Sequence, residues 1–227
     1  MSRLASYLVL AAFAAISTVT AAPFEGKVEL TISANGFPPQ PITYQVRDQQ
    51  LRMDMALGQP GAGTTLIMDW KKQQIMVVVE QQQMYMTRKM PTTIDAPDPA
   101  GGAPATTQLD QSFVDTGKTE KVLGYTCKQY TNTANGITTR LWLTDQLGWF
   151  KGVGGELSGS TSMPAWEKAL HGKEAFPLRV IGTDASGKEK YHLEVTSITK
   201  QALPDSAFLP PPDYQPLDIG AMMGMPH

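Results

Sequence analysis

Hydrophobic and polar residues alternate along the stretch from Phe24 to Met90. A period of two is the signature of a half-buried β-strand. Short polar turns at Asp48-Gln49, Lys71-Lys72 and Gln81-Gln82 divide the stretch into about six such strands. Strands joined by short turns form an antiparallel meander, and a long meander has to curl or to find a cover for its apolar face. This part of the chain therefore predicts a curled antiparallel sheet.

The alternation resumes at Phe113. Asn135-Gly136 lies between two alternating runs, which is the strongest short-range signal for a β-hairpin. Two later strands, 178–183 and 190–199, flank a turn at 184–187. We therefore expect residues 22–220 to form one domain dominated by β-structure.

A single short helix is predicted over residues 162–172. Ser162 is a suitable N-cap, Pro164 suits the first turn and Gly172 is a suitable stop. Apolar residues recur on one face of this helix at spacings of three and four, namely Met163, Trp166 and Leu170. We expect this amphipathic helix to plug the inside of the curled sheet.

Three segments lack the alternation. Residues 91–111 are rich in Pro, Gly, Ala and Thr and predict a surface loop, either a mobile lid that gates a cavity or simply a solvated linker. After Leu203 the chain is rich in proline. We expect an extended tail that Phe208 and Tyr214 attach to the rim of the barrel that the curled sheet forms. The last residues, 221–227, predict a flexible, Met-rich tail.

The N-terminus shows the three-part pattern of a secretory signal peptide. Arg3 is followed by an apolar run over residues 8–16 and by small residues up to Ala21-Ala22. The run is short for a membrane span, although a retained anchor is the alternative. We expect residues 1–21 to be removed and, because no cysteine lies near the site, no lipid to be attached there. The mature protein would then be periplasmic, without a membrane span.

The charge balance argues against nucleic acid as a partner. Loss of the signal peptide removes Arg3 from the 19 basic residues, which leaves 18 basic and 21 acidic residues and a net charge of −3. Nucleic-acid-binding proteins carry a basic patch or stripe, which such a surface does not supply.

The sequence contains no established catalytic motif. The only histidines are His171, His192 and His227, and no G-x-S-x-G or H-E-x-x-H pattern occurs. Residues 197–200 match S-x-x-K, but they fall in a predicted strand, whereas that nucleophile belongs at the start of a helix. We therefore predict a protein that is not an enzyme, with no catalytic residues and no cofactor.

The single cysteine, Cys127, cannot form an intramolecular disulfide. Free cysteine usually packs as a small buried hydrophobic residue, and this is the simplest interpretation. An intermolecular disulfide or a soft metal ligand are the alternatives.

Methionine is unusually frequent, with twelve residues in the chain. Five of them occupy alternating strand positions, so we expect them to share one face of the sheet. Flexible thioethers suit a cavity that accepts irregular apolar ligands such as a lipid, but they also fill cores, and both interpretations stay open. The residues predicted to line the cavity are Met53, Met55, Met68, Trp70, Met84, Met86 and Trp166.

A second cluster of soft ligands closes the chain: Met222, Met223, Met225 and His227. Thioether and imidazole groups suit Cu(I), so periplasmic copper handling is the second functional hypothesis. A terminal tail without any function is the alternative.

Several segments resemble an uncharacterised family of exported bacterial proteins that is grouped with the outer-membrane lipoprotein carriers LolA and LolB. They are residues 117–130, Leu141-Trp142-Leu143-Thr144, Phe176-Pro177-Leu178, and Pro204-Asp205-Ser206 with Phe208, Pro211 and Tyr214. The resemblance implies an incomplete antiparallel β-barrel wrapped around a helical plug, with an apolar cavity that holds acyl chains in the carriers. It implies a carrier- or sensor-like binding protein. A protein partner at the open barrel edge is a third hypothesis.

Overall fold

The structure is a computed structural model, which describes residues 24–34, 37–55, 63–90, 112–152, 165–170 and 173–217. Within these ranges the chain forms twelve strands, one α-helix and two short 3-10 turns at Glu80–Gln82 and Asp205–Phe208. The strands are β1 (Gly26–Ala34), β2 (Phe37–Arg47), β3 (Gln50–Met55), β4 (Thr64–Asp69), β5 (Gln74–Val79), β6 (Met84–Lys89), β7 (Val114–Val122), β8 (Tyr125–Ala134), β9 (Ile137–Thr144), β10 (Phe176–Asp184), β11 (Glu189–Lys200) and β12 (Gln215–Pro216), and the helix is α1 (Ala165–Leu170).

All twelve strands belong to one open sheet with the order β12-β6-β5-β4-β3-β2-β1-β11-β10-β9-β8-β7. Neighbouring strands run antiparallel, except that β12 pairs in parallel with β6. The six strands predicted between Phe24 and Met90 are the meander β1–β6, and Asn135-Gly136 forms the turn between β8 and β9 with both residues at positive φ, 52° and 74°. The predicted fold, an incomplete antiparallel barrel, is confirmed.

The sheet curls around an inner face. Strands β2 and β10 are three positions apart, which corresponds to about 14 Å in a flat sheet. Yet Tyr44 of β2 and Phe176 of β10 contact each other edge to face, with ring centroids 5.9 Å apart. Side chains of both strands therefore converge on the inside of the curl, where the main core lies.

The predicted plug lies on this inner face. Helix α1 buries Trp166 and Leu170, and the segment before it buries Leu147 and Phe150. Phe150 stacks on Tyr44, with centroids 5.8 Å apart and an interplanar angle of 14°. The observed helix covers only 165–170 of the predicted 162–172, because residues 162–164 and 171–172 lie outside the described ranges.

The outer face of β4–β6 is also covered, by the C-terminal segment 201–217. Its residues Leu203 and Phe208 are buried against Ile67 and Val78, with Tyr214 packed beside them. Arg47 Nη1 and Arg52 Nη1 donate hydrogen bonds to the carbonyls of residues 203 and 207, at 2.7 and 3.2 Å. The tail therefore packs across the outer face rather than on the barrel rim, because Ile67, Met76 and Val78 point outward from β4 and β5 and need a cover.

Several predicted segments lie outside the described ranges: the signal peptide 1–21, the loop 91–111 and the tail 221–227. None of the helices inside those ranges has the length and apolar character that a membrane crossing requires.

Candidate functional site

The five methionines occupy the inner face in three neighbouring rows. Cross-strand pairing places Met53 opposite Tyr44 and Leu66, and Met68 opposite Leu51 and Ile75. Met86 lies opposite Val77, in the same row as Met53, while Met55 and Met84 end the adjacent row. Side chains directly opposite each other point to the same face. The sheet thus carries a methionine-rich band across β3–β6.

The predicted cavity residues divide into two groups by burial. Met53, Met68, Trp70 and Trp166 are closed into the core, with at most 5% of each side chain exposed. Met55, Met84 and Met86 are only half-buried. We call these three the methionine rim. The inner face is therefore closed at its centre and partly open along the rim.

An aromatic cluster joins the plug to the sheet. Phe150 contacts Trp166 of α1, with ring centroids 6.0 Å apart, and meets Phe176 edge to face at 5.3 Å. The Tyr44 hydroxyl accepts a hydrogen bond from the backbone N–H of Lys151 at 2.8 Å. Burial raises the pKa of Tyr44 well above its usual value, the hydrogen bond from Lys151 opposes this, and the charge of Glu167 adds to the rise. Tyr44 is thus a neutral donor and acceptor at the centre of the core.

Lys151 is the residue that the sequence patterns missed. Only 7% of its surface is exposed. Its Nζ donates a hydrogen bond to the carbonyl of Asp48 at 2.6 Å and lies over the rings of Trp149 and Trp70, 4.3 and 4.7 Å from their centroids. We call this arrangement the lysine cage. The two indoles meet edge to face at 5.4 Å.

The lysine cage changes the chemistry of its amine. Burial lowers the pKa of Lys151 to about 8, against the opposing effect of the Asp48 carboxylate. Lysine is almost never buried without a partner, so a buried lysine with a perturbed pKa marks a candidate functional site. The signal in the sequence is the Trp149-Phe150-Lys151 triplet, which stands next to a stretch rich in Gly and Ser.

A cleft of about 670 Å³ is lined in part by the turn at residues 48–49. Its walls combine charged groups with Phe208 and Leu209. The charges are largely matched: Arg47 pairs with Asp205 at 2.8 Å, and Lys72 with Asp69 at 3.5 Å. Because these charges are matched, the cleft offers a ligand no strong net charge, and its apolar wall comes from Phe208 and Leu209 of the C-terminal segment.

The remaining candidate residues give no site within the described ranges. Cys127 is fully buried, and burial raises the pKa of its thiol to about 11, as the packing interpretation predicts. His192 contacts Glu189 and Glu194 at 3.4 and 3.2 Å. In these ranges no three His, Cys, Asp or Glu residues gather into a group that could hold a metal ion. The copper hypothesis concerns Met222, Met223, Met225 and His227, which lie outside the described ranges and stay a prediction.

Several solved structures are similar to the chain at low sequence identity. PNGF-II is 14% identical with a TM-score of 0.46, and the match covers 89% of this chain but only 32% of PNGF-II. An uncharacterized conserved protein from Thermus thermophilus is 11% identical with a TM-score of 0.48, covering 85% of this chain and 90% of that one. The LolA superfamily protein NE2245 from Nitrosomonas europaea is 15% identical with a TM-score of 0.31, covering 82% and 89%.

TM-scores below 0.5 mark a likeness in fold that is too remote to carry a function to this chain. No curated protein sequence matches it. A family profile does match, over residues 24–214, which is most of the chain. This confirms the resemblance to an uncharacterised family that the sequence indicated. The chain belongs to the family described as domain of unknown function DUF4412.

Proposed function

We propose that the protein is exported to the bacterial periplasm and binds an apolar ligand, a lipid or an acyl chain, between the inner face of the sheet and the plug. It acts as a carrier or sensor and performs no catalysis. The observation that supports this proposal is the methionine rim, a half-open apolar edge that continues into the buried band of Met53 and Met68.

Two physical properties of the rim favour a ligand over simple core filling. Apolar side chains that serve only as core gain most when fully buried, yet Met55, Met84 and Met86 are not. Methionine is also the apolar side chain that adapts best to irregular partners. The methionine rim therefore offers a chain-like apolar ligand a place to enter the inner face.

Native mass spectrometry of the protein purified gently from the periplasm tests the proposal. We expect an added mass that matches a lipid or fatty acid and disappears after organic extraction. Met86→Asp places a carboxylate on the rim and should weaken retention roughly hundredfold or more, because a buried ion costs several kcal/mol.

Met76→Asp is the matched control. Met76 is half-buried on the outer face of β5, beside the strand that carries Met86, and packs against the outer residues Ile67, Val78, Leu203 and Phe208. Retention should survive this change. Protein that carries no added mass even before extraction contradicts the proposal. A ligand that persists in both Met86→Asp and Met55→Asp places the binding site elsewhere.

A further inference from the structure

Two buried donor groups lie together at one end of the inner face. The Lys151 ammonium has three N–H donors, and within the described ranges one of them is used, toward the Asp48 carbonyl. The Nε1–H of Trp70, whose side chain is 3% exposed, has no hydrogen-bond partner in those ranges. Trp70 is also one wall of the lysine cage. The pair thus combines a positive charge with spare donors.

Buried polar groups are normally hydrogen-bonded, and exceptions call for an explanation. No carboxylate forms an ion pair with Lys151 among the residues that the structure describes, and the acidic group acting on it, Asp48, has an exposed side chain. The indole faces stabilise the charge of the ammonium, but they cannot accept its remaining donors as well as an oxygen can. The arrangement is therefore complementary to an anionic oxygen.

The cage and the methionine rim lie at opposite ends of the same face. Trp70 follows the end of β4, whereas Met55 pairs with Thr64 at its start. From Thr64, opposite Met55, to Trp70 the chain advances six residues, which is about 20 Å at the usual rise of a strand. That distance is comparable with the length of an extended long-chain acyl group.

We propose that Lys151 Nζ and Trp70 Nε1 bind the anionic head group, a carboxylate or a phosphate, of an amphiphile whose apolar tail takes the place of plug side chains against the methionine-rich band. This inference rests on the proposed function and adds the ligand class to it. The head group supplies acceptors for the spare N–H groups of Lys151 and for the Nε1–H of Trp70. The tail meets the apolar part of the inner face.

Isothermal titration calorimetry with three single-chain probes tests the inference: dodecanoate, dodecyl phosphate and neutral dodecanol, all below their aggregation concentrations. A hydrogen bond to a charged group corresponds to about a ten- to hundredfold gain in affinity. We expect the wild-type protein to prefer at least one anionic probe to dodecanol by this factor. Which anion binds more tightly separates a fatty acid from a phosphate head group.

Two variants isolate the cage. In Lys151→Met the preference for the anion should fall to about twofold or less while dodecanol still binds. Trp70→Phe keeps a smaller aromatic wall, removes the Nε1–H donor together with one ring of the indole, and should lower the preference partly. Lys168→Met is the matched control, because Lys168 is exposed on α1, and the preference should be unchanged. If Lys151→Met fails to fold, the inference is still tested by the wild-type preference for an anion over dodecanol and by the partial loss of that preference in Trp70→Phe.

The outcomes separate the two proposals. Equal affinity of the wild-type protein for dodecanol and for both anions overturns the head-group inference and leaves apolar binding standing. An anion preference that Lys151→Met and Trp70→Phe both retain also overturns it, because the charge then acts elsewhere. No binding of any probe overturns both the inference and the proposed function.

Discussion

The buried amine of Lys151 should make the stability of the protein depend on pH in an unusual direction. Its pKa is lowered from 10.5 to about 8. The unfolded chain therefore binds a proton more tightly than the folded protein, and stability rises with pH wherever that holds. The cost of holding the charged amine is present in full below about pH 8 and is relieved as the pH rises toward about 10.5.

The magnitude follows from the pKa values. One pKa unit corresponds to about 1.4 kcal/mol, so burial alone makes the charged amine cost about 3 kcal/mol in the fold at neutral pH. The two indole faces act in the opposite sense, by about 1 kcal/mol or more when desolvated. We therefore expect Lys151 to contribute a rise of about 1–3 kcal/mol in the free energy of unfolding between about pH 7 and about pH 10.

The assay is urea unfolding of the wild-type protein and of Lys151→Met across that pH range. The quantity to compare is the difference in the free energy of unfolding between the two proteins, because other groups titrate in both. Burial raises the pKa of Tyr44, for example. The stability that the neutral Tyr44 contributes is therefore present below about pH 10 and is lost above it, in wild type and variant alike. Lys151→Met should be more stable than wild type near neutral pH, and its advantage should shrink as the pH rises.

Lys168→Met serves as a control for the loss of one positive charge, and we expect it to change stability by less than about 0.5 kcal/mol throughout. The reasoning is refuted if the difference between wild type and Lys151→Met is the same at neutral and at alkaline pH. The amine would then be stabilised in the cage as well as it is in water.

Two further predictions concern the stability of the sheet and of the C-terminal segment that covers it. A Cβ at Gly182 would overlap the ring of Tyr191, its cross-strand partner, so Gly182→Ala should cost about 1–3 kcal/mol and lower the Tm in calorimetry. An unchanged Tm would show that the ring moves aside freely. Phe208, 4% exposed, anchors the C-terminal segment, and Phe208→Ala should cost about 3 kcal/mol in urea unfolding. Leu209→Ala, at a side chain 50% exposed, should cost less than about 0.5 kcal/mol, and equal effects would contradict the assigned role.

The strands were predictable because a half-buried strand has apolar residues on its buried face and polar residues on its exposed face, which alternate along the sequence. Val28 and Leu30 are buried while Glu29 between them is not, and the same alternation runs through β2 and β3. The apolar run Ile75–Val79 broke the alternation, since a run of this kind is typical of a strand covered on both faces. The structure supplies the second cover, the C-terminal segment, whose place no local pattern could reveal.

The candidate site was predictable only in part. Alternation placed the five methionines on one face, but it could not tell the half-buried rim from the closed centre, because that depends on where the plug ends. Lys151 was missed for a different reason: a charged side chain is assigned to the surface unless its partners are known. Of its partners, Trp149 is close in the chain, but Asp48 and Trp70 belong to two distant turns, after β2 and after β4.

The position of β1 governs when this protein can fold. It lies between β2, which follows it directly, and β11, with Gly26 opposite Lys200 near the far end of the described chain. Ribosomes make the chain from its N-terminus, so one edge of β1 has no neighbour until nearly all of the chain exists. Pairings between distant residues form slowly, and an unpaired strand edge is a template for aggregation. The sheet can therefore close only after β11 has been made, and until then the open edge of β1 is available for pairing with other chains.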